Sequence, residues 1–149
     1  MSDLRQVGHL QSRLQQALSL PGTLAVSFDA FEAIRVLARQ SQDRVPALFA
    51  AFMTTADAAV DGREAVTIAP SLPPPGLSTA PPADPAAGAN LDEVVAALAL
   101  LAGVLAERLN RAAADASLAG DRAACEEAAA AAQQIRTLMA HSDDRPGLR

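Results

Sequence analysis

The chain has 149 residues and a net charge of -5, which fits about one domain, and its twelve basic residues are all arginine. Residues 1–69 carry six Arg against seven acids and residues 90–149 six against nine, so neither part has the basic excess that a phosphate backbone attracts. Alanine, about a quarter of the chain, costs no side-chain entropy in a helix, so the composition points to an all-α protein.

Leu4, Val7, Leu10, Leu14 and Leu18 recur at three- and four-residue steps and predict a helix starting near Ser2, with Pro21-Gly22 stopping it. A second helix is expected from Ser27, a good N-cap, with Asp29 and Glu32 in its first turn and Phe28, Phe31, Ile34 and Leu37 on its apolar face. Asp43 can cap a third helix with Pro46 in its opening turn. Its stripe is Val45, Leu48, Phe49, Phe52, Met53, Ala56 and Val60, and Asp61-Gly62 is expected to end it. These elements make an N-terminal helical unit, 1–69, in which residues 63–69 receive no assignment. A helix-turn-helix reader of DNA is the sharper alternative, as a small transcriptional regulator. The would-be recognition helix, however, has no Arg or Lys between its start and Arg63, where base edges demand donors.

Seven of the ten prolines lie between Pro70 and Pro85. Residues 70–89 therefore read as a Pro-rich flexible linker, able to reach about 60 Å at roughly 3.1 Å per residue. Two minimal PxxP spacings within it, without flanking Arg, are read as spacer rather than ligand.

Asn90 followed by Leu91, Asp92 and Glu93 is a strong helix start. Thirteen residues, Val94 to Ala106, then pass without one polar side chain. They span about 20 Å of helix, short of a hydrocarbon core that needs about 20 residues, and acids flank the run. A helix apolar all round belongs in the middle of something. Gly120 and Asp121 are expected to turn the chain into a last helix, Arg122 to His141, with Cys125, Ala128, Ala132, Ile135 and Met139 on a heptad seam. That gives a C-terminal helical hairpin, 90–142, and a disordered tail, 143–149. One hairpin edge cannot cover the apolar run, so Val95, Leu98, Leu101, Val104 and Leu105 are expected to bury against the N-terminal arm or against another copy, and with Phe49 and Phe52 of the third helix they are the expected partner interface. Ala99 and Gly103 would permit close approach on one such face.

No constellation carries chemistry. Two histidines and one cysteine in separate elements make no metal site, adjacent acids on a helix do not face each other, and neither a Gly-rich phosphate loop nor a nucleophile with a nearby base is present. No cofactor, metal or small-molecule substrate is expected. The expectation is a non-enzymatic assembly protein, a helical bundle that self-associates or docks on a helical partner. Its start carries no charged-then-apolar leader, so cytoplasm is the default. Exported helical hairpins of bacteria are a further alternative, but the chain lacks the Trp and Tyr of their turn and tail signals.

Overall fold

The computed structural model describes residues 2–74 and 90–143. Five α-helices account for almost all of them: α1 (Ser2–Gln16), α2 (Leu20–Ser41), α3 (Phe49–Ile68), α4 (Leu91–Asp115) and α5 (Ala119–Asp143). Of the expected flexible linker 70–89, residues 75–89 lie outside the described residues, as do residues 144–149 of the expected tail. Ser71 and Leu72, at the linker's start, are instead tied to Asp121 and packed on the core, respectively.

The all-α expectation holds, while several helix boundaries move, each for a local reason. Pro21-Gly22 does not stop α1 but sits in the first turn of α2, where a missing N–H costs nothing. Ser19 is the N-cap: its Oγ accepts from the Gly22 N–H at 3.1 Å. Ser27, expected to begin that helix, is buried inside it, and Leu18 lies in the connection, almost fully exposed. Val45 is extended, Pro46–Leu48 forms one turn of 3-10 helix, and α3 follows without a break.

Gly62 does not end α3, which continues to Ile68 and takes in the unassigned segment 63–69 as far as its C-cap, Ala69. A Cβ at Gly62 would fall 2.4 Å from Cε1 of Phe31. The glycine is there so that the Phe31 ring can lie directly on the α3 backbone. Likewise α5 opens at Ala119, three residues before the expected start, with Gly120 and Asp121 inside its first turn.

α2 and α3 run antiparallel, tied on their outer side by Arg39–Asp57 at 3.2 Å and by the Glu32 carboxylate, which accepts from both Arg35 and Arg63. α4 and α5 form the longest packed pair, and α3 lies along α5. The end of α3 meets the start of α5: the Ser71 N–H and Oγ donate to the Asp121 carboxylate at 2.9 and 2.6 Å. These pairings place four helices in a ring, α2–α3–α5–α4, each antiparallel to its neighbours. The α2–α4 side is the thinnest, and α1 packs against both of those helices there. Its stripe of Val7, Leu10 and Leu14 is buried, and Arg108 of α4 donates to the Ala17 carbonyl just past its end.

One core results. Leu14, Leu24, Phe31, Ile34, Leu48 and Phe52 from the N-terminal arm join Leu98, Leu101, Leu105, Ile135 and Met139 from the C-terminal arm in a single cluster of buried side chains. The two arms expected as separate units therefore share their interior. α3 and α4 are diagonal in the ring and point the same way, so the chain has to return the length of α3, about 30 Å, between them. A long connection is a requirement of this topology as much as a boundary between domains.

Candidate functional site

Five of the seven residues expected at a partner interface, Val95, Leu98, Leu101, Leu105 and Phe52, are buried against the chain's own helices. They present no surface, which corrects that expectation. The physical reason is that α4 has three intramolecular neighbours, α5, α1 and α2, rather than one. Val104 is half-buried, and Phe49 is 40% exposed, one turn from Met53 on the outer side of α3.

A strip of the apolar run nevertheless stays outside. Buried side chains of α4 fall on one face, centred on Leu98, Leu101, Leu105 and Leu109. On the opposite face lie Ala96, Leu100, Gly103 and Glu107, at steps of four, three and four, the spacing of a seam. Leu100 is 59% exposed and is the one large apolar side chain of α4 so placed. Beside it, between α4 and α5, is an open groove of about 460 Å³ lined by Ala99, Gly103, Val104, Asn110, Gln133 and Arg136 among others. Gly103 is one of its lining residues. A Cβ there would meet only the Cδ and Nε of Arg136, at 3.6 Å, so the notch is one methyl deeper than an alanine would leave it. The groove is thus apolar along Ala99 to Ala106 on the α4 side, with Glu107 and Asn110 beyond, and polar on the α5 side at Gln133 and Arg136.

The signal for this strip was in the sequence. Leu100 is the only bulky apolar residue at positions 96, 100, 103 and 107, while the opposite face carries Val94, Leu98, Leu101 and Leu105. What hid it was the uniform apolarity of Val94 to Ala106, which left no polar face to orient the helix.

Cys125 is buried on the α5 seam, and burial, then the charges of Asp121 and Glu126, push its thiol pKa up, away from the thiolate that nucleophilic work uses. Burial raises the Glu32 carboxyl, but donation from Arg35 and Arg63 and their positive charge outweigh it and hold its pKa below 4.5. Among the described residues no three of His, Cys, Asp and Glu are grouped to hold a metal ion, and no helix is long and apolar enough to cross a membrane. The hydroxyls of Ser27, Ser41 and Thr55 are buried without a hydrogen-bond partner among the described residues. Comparison with family models, curated proteins and solved structures gives no match to this chain.

Proposed function

We propose that this is a non-enzymatic assembly protein whose working surface is the outer strip of α4 with the adjoining α4–α5 groove, and that the surface receives a helix. The observation that carries the reading is the exposure of Leu100 next to a notch lined by Gly103. A lone exposed leucine needs no explanation, but one set beside a concavity on a seam of small residues has the form of a knob next to a hole. Small residues at 96, 99 and 103 allow a second helix axis to approach at the lower end of the usual range of about 8–10 Å. The polar border of Gln133, Arg136 and Glu107 fits the rim of an interface around an apolar centre.

Its test compares wild type with Leu100→Asp. The purified chain is followed by sedimentation velocity over a range of concentrations, and a tagged copy is crosslinked to its partners in the native host. The expected result is that at least one association seen with wild type disappears in the variant while the melting temperature is unchanged. If every association of the wild type survives in the variant, the surface is not the working one.

A further inference from the structure

We infer that the helix received by this surface is α4 of a second copy of the same chain, packed antiparallel, with Leu100 of each copy seated on Gly103 of the other. The inference rests on the reading above and names its partner. It follows from how large and small residues are distributed along the strip. A two-fold axis passing midway between Leu100 and Gly103 sets Leu100 against the second copy's Gly103, Val104 against its Ala99, and Glu107 against its Ala96. Each larger side chain meets a small one, and the rotation repeats every contact, as a self-complementary two-fold interface requires. A random helix face would set some bulky residue against another.

Charge agrees at the ends of the strip. The same axis brings Arg111 of one copy to the level of Asp92 and Glu93 of the other, twice. Arg111 is well exposed, and within its own chain it contacts Glu107 at 3.3 Å. The acidic opening turn of α4 is thereby met by a cation from outside. One feature opposes association: Arg136 borders the notch on the α5 side, and the two guanidinium groups of a pair share that rim. They have to turn outward, so Arg136→Ala tightens the pair. A single helix-on-helix contact lies at the small end of specific interfaces, and the pair therefore forms in a concentration-dependent way.

The experiment is sedimentation equilibrium of the full chain up to high concentration, with Leu100→Asp removing the knob and Gly103→Leu filling the hole. Both positions lie off the core, so each variant stays folded: Leu100→Asp melts close to the wild-type value and Gly103→Leu, which gains helix propensity, at or above it. Wild type sediments as a dimer, and both variants at half that mass. Geometry is read in a Cys125→Ala background by mixing differently tagged Leu100→Cys and Gly103→Cys chains under oxidising conditions. The mixed disulfide forms in clear excess over either like pair. A dimer that persists in both variants, or like pairs that dominate, overturns the inference. A wild type that stays monomeric at every concentration also overturns it. In that case the reading of the surface itself still stands if Leu100→Asp abolishes capture of a host protein, and falls if it does not.

Discussion

The two faces of α4 are built from one apolar run and have opposite fates. The inner face, around Leu98, Leu101 and Leu105, carries large side chains and is closed by α5, α1 and α2. The outer face carries Ala96, Ala99 and Gly103 with a single leucine between them, and among the described residues no helix covers Ala96 and Leu100. Hydropathy alone does not separate the two. Side-chain volume does, because a core needs bulk to fill it, whereas a surface that another helix approaches closely needs the lack of it.

The largest effect that would test this contrast is on the inner face. Leu101→Ala should cost about 2–5 kcal/mol in denaturant unfolding, since the cavity it leaves is ringed by α4's neighbours. Loss of less than that would mean the inner face is loosely packed. Next comes the latch that joins the arms. Ser71→Ala removes the hydroxyl donor from a buried carboxylate and should cost about 1.5–3 kcal/mol, with Asp121 left one bond short. Two glycines then sharpen the comparison. Gly62→Ala pushes a methyl into the Phe31 ring and should destabilise by about 1–3 kcal/mol. Gly103→Ala meets only ordinary contact and should stabilise the helix by about 0.5–1 kcal/mol. Equal effects at the two sites would erase the distinction between a buried and an open close approach.

A smaller effect belongs to the α2–α3 ion pairs. Because the Glu32 pKa is lower in the folded chain than its ordinary 4.5, its contribution is complete above that pH and is lost as pH falls through the folded value. The stability gap between wild type and Glu32→Gln should therefore narrow on acidification below 4.5. A gap that stays constant with pH would mean that Arg35 and Arg63 do not favour the ionised form. Smallest of all, Leu100→Ala should change unfolding by less than about 0.5 kcal/mol, as an exposed position does.

Much of the helical content was legible from spacing and caps. Asn90 caps α4 as expected, its Oδ1 accepting from the Asp92 N–H at 2.8 Å. The α5 seam of Cys125, Ala128, Ala132, Ile135 and Met139 is fully buried. Boundaries were misread where one residue type serves two purposes. Pro21 can close a helix or open one, and Ser19 as a cap decides for opening. Gly62 can end a helix or admit a neighbouring ring, and Phe31, thirty-one residues away in the chain, decides for the ring. The candidate interface was misplaced for a related reason. Sequence showed that the apolar run needed more cover than α5 alone provides, and α1 and α2 of the N-terminal arm supply much of the remainder.

By itself the sequence determined that the chain is helical and that Val94 to Ala106 cannot remain wet, because periodicity, capping and hydrophobicity are local properties. Only the tertiary structure decided which side of that run stays outside. It placed α1 across the α2–α4 side, set α3 against α5 and joined Ser71 to Asp121 across fifty residues. Those arrangements depend on contacts between distant segments, for which no local pattern in the chain carries a signature.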